Sequence, residues 1–214
     1  MIVWFLLVAG IILAITGFSI YRSAESYLFE QFKRQQSLLA ESTAAFIDGA
    51  QHQRFVSKSS MNTRQYRLYN RALVRSIKLS DQANFIYTLN IDNQTNKPRY
   101  AIIPDLRESK LKVNQKWFSS GDEFDEDGDL NTQILEFYNG RSHGVTLHLN
   151  GKANGLKYLS LAIIYSKDND ANGVLVVESS YDQVVALKEE LLESMLVTDS
   201  RLMLLRSLAP VHCT

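Results

Sequence analysis

The first part of the chain carries its longest uninterrupted apolar pattern. The run from Ile2 to Ile20 has no charged side chain and only two hydroxyl groups. A helix over that run covers about 28 Å, close to the hydrocarbon thickness of a bilayer. Residues 1–21 are therefore predicted to form an uncleaved transmembrane anchor, with Trp4 and Tyr21 near its two interfaces.

A secretory signal peptide is the competing interpretation of this run. The apolar stretch is long for a signal h-region, no basic residue precedes it, and no clean small-residue cleavage motif follows it. Arg22, Lys33 and Arg34 follow the span, and by the positive-inside rule they would keep the rest of the chain in the cytoplasm.

Two amphipathic helices are predicted after the anchor. Residues 22–48 contain no Pro or Gly and form a predicted stalk helix that ends before Gly49. Its apolar positions recur at helical spacing: Leu28, Phe32, Leu39 and Phe46. A second helix is predicted from Thr63 to Leu79. Its apolar face consists of Tyr66, Tyr69, Leu73 and Ile77.

Beyond Ser80 the pattern changes to that of short strands. Apolar runs bounded by turn residues predict five of them: 85–91, 99–103, 145–149, 156–165 and 173–178. A last helix is predicted over 182–197. Helices around a set of hairpin-connected strands indicate an α+β fold with a five-stranded antiparallel sheet. The predicted organisation is an anchor (1–21), a stalk helix (22–48), a sheet domain (49–180), and a C-terminal helix and tail (181–214).

Composition narrows the function classes. The chain has 214 residues, 45% of them hydrophobic, with 23 Lys and Arg against 23 Asp and Glu. These values exclude a disordered chain, and the zero net charge argues against a nucleic-acid partner. Cys213 is the one cysteine, so the sequence predicts neither an intramolecular disulfide nor a cysteine metal cluster.

The zero net charge hides two segregated blocks. One is a basic stripe on the second helix: Arg64, Arg67, Arg71, Arg75 and Lys78. This stripe is either a solvated helix face or a surface that attracts anionic lipid, an acidic ligand or a partner. The other block is the acidic loop 122–129, with six carboxylates in eight positions. It is predicted to be solvated; a loose divalent-ion site is the alternative, because an EF-hand would need Glu where Ile134 stands.

Several segments resemble the extracytoplasmic PAS-like (Cache-type) sensor domain of bacterial transmembrane receptors, namely nucleotide cyclases, histidine kinases and chemoreceptors. The segments that carry the resemblance are Phe46-Ile47-Asp48-Gly49, Met61-Asn62-Thr63 with Tyr66, Phe85 to Leu89, Leu159 to Ile164, and Gly173 to Val177. The resemblance covers about residues 20 to 190 and implies a PAS-like sensor domain outside the cytoplasmic membrane. The resemblance therefore opposes the cytoplasmic location that Arg22, Lys33 and Arg34 indicate. We prefer the location outside the membrane, because those three charges are few.

The resemblance also implies a small-molecule site between the concave sheet face and a helix-loop insert. The aromatic candidates for this site are Tyr66, Phe85, Tyr87, Tyr100, Trp117 and Tyr158. Arg71 or Arg75 is the candidate anion anchor, and Asp105 is the candidate polar anchor. Strand alternation places Phe85 and Tyr87 on one face, although aromatic residues at such positions also serve as ordinary core.

No catalytic residue, metal ligand or cofactor is predicted. Ser120-Gly121-Asp122-Glu123-Phe124 resembles the diguanylate cyclase signature, but no apolar strand follows it and the other cyclase elements are missing. His143 and His148 fall on opposite faces of a strand, and His52 has no neighbouring residue of metal-ligand type. The chain contains no nucleophile-elbow, P-loop or zinc-protease pattern.

The sequence thus predicts a single-pass protein of the cytoplasmic (inner) membrane with its soluble domain outside the cytoplasm. Its expected function is to bind a small ligand and pass the change along the stalk helix, as a homodimer held in membrane lipid by the N-terminal helix. A receptor of this class should have a second span and an output domain, so a truncated receptor is one expectation. The alternative is an anchored protein-interaction module with no small ligand.

Overall fold

The computed structural model of the protein describes residues 1–80, 82–92, 94–104, 118–124, 128–140, 145–151 and 155–180, together with residues 185, 186 and 189. The chain divides into two compact units; Met1–Phe32 belong to the first, and Lys33–Tyr181 form the second. Helices and one antiparallel sheet follow each other along the chain. The α+β class and the long apolar N-terminal helix are confirmed.

Helix α1 runs from Ile2 to Ala45 as one element of 44 residues. Among the described residues it is the one helix long and apolar enough to cross a membrane, a test that an N-terminal signal sequence also meets. The predicted anchor and the predicted stalk helix both lie in this one helix, since no Pro or Gly interrupts residues 18–45. In the second unit, α1 buries Gln36, Ala40, Thr43 and Ala44.

A short helix, α2 (Gly49–His52), follows the end of α1. The Asp48 carboxylate accepts a hydrogen bond from the backbone N–H of Gln51 at 3.1 Å and so caps this helix. A Cβ atom on Gly49 would lie 2.7 Å from the backbone nitrogen of Ser166. Only glycine therefore allows α2 to approach this part of the chain so closely.

Helix α3 spans Arg64–Leu79, after a 3-10 turn at Lys58–Asn62. Thr63 caps it, since its hydroxyl oxygen accepts a hydrogen bond from the backbone N–H of Tyr66 at 3.2 Å. The predicted apolar face is confirmed, because its four members are all buried: Tyr66, Tyr69, Leu73 and Ile77. The five cations of the basic stripe are all exposed.

The sheet has the strand order β2-β1-β5-β4-β3, and every pair is antiparallel. The strands are β1 (Phe85–Asp92), β2 (Lys97–Ile102), β3 (Val145–Gly151), β4 (Gly155–Tyr165) and β5 (Ala171–Ser180). Strand β2 begins two residues earlier than predicted and contains Pro98. Proline is tolerated here because β2 pairs with another strand of the sheet, β1, on one side only.

The two faces of the sheet bury different layers. On one face, α1 and α3 pack against the sheet. This helix layer and its sheet partners include Ala40, Ala44, Leu73, Ile77, Ile86, Ile102, Leu175 and Val177. The opposite face is covered by α4 (Gly128–Tyr138) and Phe124. That second layer includes Phe85, Tyr87, Leu89, Tyr100, Leu130, Ile134, Val174 and Val176.

Helix α4 begins within the acidic loop predicted over 122–129, whose described carboxylates Asp122, Glu123 and Asp129 are exposed, as predicted. Its first residues are Gly128 and Asp129, so the helix takes up the end of that loop. Leu130 and Ile134 lie four positions apart and bury one face of α4 in the core. Residues 125–127 of the acidic loop lie outside the described residues, as does most of the predicted helix 182–197; residues 185, 186 and 189 are helical.

Candidate functional site

An aromatic cluster covers the sheet face that α4 packs against. Tyr87 lies at its centre, with ring centroids 5.4 Å from Phe85, 5.4 Å from Tyr100 and 6.0 Å from Phe124. Phe118 stacks on Tyr100 at 4.5 Å. The arrangement follows from strand geometry, since alternate residues of β1 share a face and β2 lies beside β1. This places three of the predicted site residues, Phe85, Tyr87 and Tyr100, in one cluster.

The cyclase-like motif forms a turn against the edge strand β2. The backbone N–H of Gly121 donates to the carbonyl of Tyr100 at 2.7 Å, and the N–H of Tyr100 donates to the carbonyl of Asp122 at 3.0 Å. The Asp122 carboxylate accepts a hydrogen bond from the backbone N–H of Ser119 at 2.7 Å. The motif therefore extends the sheet at this edge, and the Asp122 side chain fixes the turn.

Charged side chains on the same edge neutralise one another. Glu123 lies 3.7 Å from the Lys97 ammonium and 3.6 Å from the Arg99 guanidinium, and Arg99 also contacts Asp92 at 3.1 Å. Two backbone N–H groups of the turn after β1 donate to Asp92, and these hydrogen bonds hold the pKa of its carboxyl below the usual value. Among the described residues, no group of three His, Cys, Asp or Glu side chains could hold a metal ion.

The remaining predicted site residues do not join the aromatic cluster. The Tyr66 ring is buried in the helix layer, where its hydroxyl accepts a hydrogen bond from the backbone N–H of Ile103 at 3.2 Å. Tyr158 is buried, and strand alternation places it on the face opposite Leu159, which packs in the aromatic layer. Asp105 and Trp117 lie outside the described residues.

Arg71 and Arg75 lie on α3 at a groove of about 750 Å³ that the helix forms with α1. The groove is lined entirely by residues of the second unit, from Gln35 to Gln82. Since α3 packs on the sheet face that carries Ile86, the two arginines and the aromatic cluster lie on opposite sides of the sheet. The structure thus separates the predicted anion anchor from the predicted aromatic wall.

His52 is a buried polar residue whose role the sequence did not predict. The imidazole is fully buried, with Nδ1 3.0 Å from the carbonyl of Asn172 and Nε2 2.8 Å from the hydroxyl of Thr88. Burial lowers its pKa from 6.5 to about 4. Its two hydrogen-bond partners are distant in sequence, and no local motif predicts either contact.

Neither a protein-family model nor a curated protein sequence matches this chain. Among solved structures, it is similar to the ligand-binding domain of the Campylobacter jejuni chemoreceptor Tlp3 in complex with L-valine. That match has 13% identity and a TM-score of 0.47, and it covers 79% of this chain and 60% of that one. The Tlp3 sensory domain with isoleucine bound gives 12% identity and a TM-score of 0.46, with the same coverage of both chains.

The periplasmic sensory domain of the Campylobacter jejuni chemoreceptor Tlp1 is also similar, with 12% identity and a TM-score of 0.44 over 77% of this chain and 59% of that one. The three structures belong to two chemoreceptors, Tlp3 and Tlp1, and chemoreceptors are one of the receptor classes that the sequence resemblance names. This chain spans about 60% of the length of the Tlp3 domain.

Proposed function

We propose that this protein is a membrane-anchored sensor module of bacterial signal transduction, with no catalytic role of its own. The observation that carries the proposal is helix α1, which begins with an apolar run of bilayer length and ends among the core residues of the sheet domain. Residues 1–21 anchor the protein as a single pass of the cytoplasmic membrane, in contact with lipid. The domain of residues 49–180 lies outside the cytoplasm.

Helix α1 supplies the route along which a change in the domain reaches the membrane. Ala40 and Ala44 are fully or almost fully buried in the same cluster as the sheet residues Ile86 and Val177. Small side chains allow close packing, and a densely packed interior transmits displacements. We therefore expect a movement of the sheet to displace α1. In a homodimer, this displacement would change the relative position of the two paired α1 helices.

The ligand site in this proposal is the aromatic sheet face. Phe85, Tyr87 and Tyr100 form its floor, and the insert that carries Asp105 and Trp117 follows β2 directly in the chain. Aromatic rings with hydroxyl groups bind small organic ligands through apolar area and a few hydrogen bonds. Tyr66, Arg71, Arg75 and Tyr158 are not part of this floor.

Topology is tested by cysteine labelling of the full chain in bacterial cells. In a Cys213→Ser background, the exposed Ser59 is replaced by cysteine and treated with a membrane-impermeant maleimide after permeabilisation of the outer membrane only. The proposal expects labelling of Ser59→Cys in cells whose inner membrane is intact. Labelling only after lysis would place the domain in the cytoplasm and contradict it.

Ligand binding is tested by thermal unfolding of the full chain in lipid nanodiscs against a panel of amino acids, carboxylates and other metabolites. A compound at a hundred times its Kd adds about 2.7 kcal/mol and should raise Tm by roughly 5 °C or more. The double variant Tyr87→Phe/Tyr100→Phe should reduce that shift, whereas the control Tyr66→Phe on the other face should retain it. If no compound raises Tm, the alternative of an interaction module without a ligand is favoured.

A further inference from the structure

The groove between α1 and α3 has the properties of a second binding site. We propose that it binds a small organic anion with an apolar body and a hydrogen-bond donor, independently of the aromatic sheet face. Its volume of about 750 Å³ lies within the range of pockets that hold small molecules. Both walls belong to the second unit, so the site is complete within the sheet domain.

The charge of the groove selects an anion. Arg71 and Arg75 are one helical turn apart on α3 and are both exposed. Among the residues that the structure describes, neither Arg71 nor Arg75 takes part in an ion pair. No Asp or Glu occurs among the described residues that line the groove. Two guanidinium groups with no carboxylate partner in the described part of the chain favour a carboxylate or a similar planar anion.

Exposed apolar side chains supply the rest of the groove wall. Phe46 is 54% exposed, Leu68 is 48% exposed and Leu79 is 75% exposed, and all three line the groove. Leu39 of α1 lines it as well. Large apolar side chains gathered at one concave surface mark a binding site more often than scattered ones do. They would pack against the apolar body of the ligand.

A buried amide oxygen in the groove adds a requirement for a donor. Gln36 is only 2% exposed, and its Nε2 donates a hydrogen bond to Oε1 of Gln82 at 3.1 Å. Its Oε1 has no hydrogen-bond partner among the described residues. Gln36 lines the groove, and buried polar atoms are nearly always hydrogen-bonded, so this oxygen without a partner is the reason that the proposed ligand carries a hydroxyl or ammonium group.

A ligand in this groove would contact α1 and α3 together. Gln36 and Leu39 belong to α1, whereas Arg71 and Arg75 belong to α3. Binding should therefore stabilise one distance between the two helices.

The test uses 6-hydroxy-2-naphthoate, which combines a carboxylate, an apolar body and a hydroxyl group. Its neutral counterpart is 6-hydroxy-2-naphthamide. Binding to the full chain in nanodiscs is measured by titration calorimetry, with empty nanodiscs as the blank. We expect saturable binding of the carboxylate and an affinity for the amide that is lower by about tenfold or more, because a charge-assisted contact is lost.

Two pairs of variants locate the site. Arg71→Gln/Arg75→Gln should weaken carboxylate binding by about tenfold or more, while Arg64→Gln/Arg67→Gln, from the same stripe but outside the groove, should change it less than about twofold. The second pair of variants tests steric blocking of the groove and leaves the charge of the protein unchanged. Ser42→Phe places a ring in the groove and should abolish binding, whereas Ala45→Phe, exposed on α1 but outside the groove, should not.

Several outcomes would overturn the proposal. These are the absence of saturable carboxylate binding, equal affinities for carboxylate and amide, and equal losses in the two arginine pairs. Light scattering on each variant distinguishes a further case. If Arg71→Gln/Arg75→Gln or Ser42→Phe changes the oligomeric state of the ligand-free chain, the groove is an interface between protein chains and the proposal fails.

Discussion

His52 Nε2 accepts a hydrogen bond from the hydroxyl of Thr88 across 2.8 Å. The direction follows from the other contacts of the pair. The carbonyl of Asn172 can only accept, so His52 Nδ1 carries the proton, and the Thr88 oxygen in turn accepts from the backbone N–H of Ile102 at 2.9 Å. One continuous network thus joins α2 with the three neighbouring strands β2, β1 and β5, with a neutral imidazole at its centre.

The first prediction is a loss of stability in mild acid that depends on His52. Its pKa is about 4 in the folded protein and 6.5 in the unfolded chain, so the unfolded chain binds more protons between these values. Stability should therefore fall as the pH drops from 6.5 towards 4, and His52 should add no further loss below that. Between pH 7 and pH 5 the expected loss is about 2 kcal/mol.

Urea unfolding of the full chain at several pH values checks this prediction. His52→Gln keeps an amide able to donate and accept but cannot titrate, so its stability should depend less on pH by about the same 2 kcal/mol. Parallel pH profiles for the wild type and His52→Gln would show that the imidazole is not the responsible group.

The second prediction concerns the close approach of Gly173 to His52. A Cβ atom at residue 173 would lie 2.4 Å from His52 Cε1 and 2.8 Å from the carbonyl oxygen of Leu89. Gly173→Ala should therefore lower the free energy of unfolding by about 1–3 kcal/mol or more through overpacking, with additional backbone strain at φ 155°.

Gly140→Ala is the matched control for Gly173→Ala. Gly140 also has a positive φ, 71°, but a Cβ atom there would meet nothing within 4 Å. Gly140→Ala should therefore lower the free energy of unfolding by about 1 kcal/mol, through the strain of the backbone conformation alone. Equal losses in the two variants, measured by chemical denaturation, would be incompatible with a packing role for Gly173.

The third prediction tests the hydroxyl group that caps α3. Thr63→Ala removes the acceptor for the backbone N–H of Tyr66 and should lower stability by about 1 kcal/mol. Thr63→Ser keeps the oxygen and should retain most of that stability. The two variants can be compared by the urea midpoint of the full chain; a serine variant as unstable as the alanine variant would exclude the capping hydrogen bond as the cause.

The fourth prediction separates a structural role of Tyr66 from ligand binding. The Tyr66 hydroxyl satisfies the backbone N–H of Ile103, and the side chain is only 2% exposed. Tyr66→Phe should therefore lower stability by about 1–2 kcal/mol, because a backbone donor loses its partner. Ligand affinity, measured by titration at a temperature where the variant is folded, should remain unchanged; a selective loss of affinity would place Tyr66 in the binding site.

Local patterns predicted the elements well. The spacing of Tyr66, Tyr69, Leu73 and Ile77 identified both the extent of α3 and its buried face, because helix periodicity is a property of neighbouring residues. Alternation in β1 correctly placed Phe85 and Tyr87 on one face. Helix α4 was not predicted, since the carboxylates around Gly128 gave the start of the segment the composition of a loop.

The candidate site was less predictable because it depends on which face each element buries. Arg71 and Tyr87 could be assigned to elements from the sequence, but their positions on opposite sides of the sheet depend on how α3 packs against it. His52 is a similar case. Its partners are Thr88 and Asn172, and such long-range hydrogen bonds leave no spacing signal in the sequence.

The strand order has a consequence for the folding of the domain after synthesis. Strand β5 is the last strand to be synthesised, yet it pairs with β1 on one side and β4 on the other. Until Ser180 has been synthesised and has reached the compartment where the domain folds, β1–β2 and β3–β4 can exist only as separate hairpins, each with an open edge where β5 will pair. Completion of the domain must therefore wait for the pairing of Phe85 with Glu178, a contact of high sequence separation that should make folding slow and late.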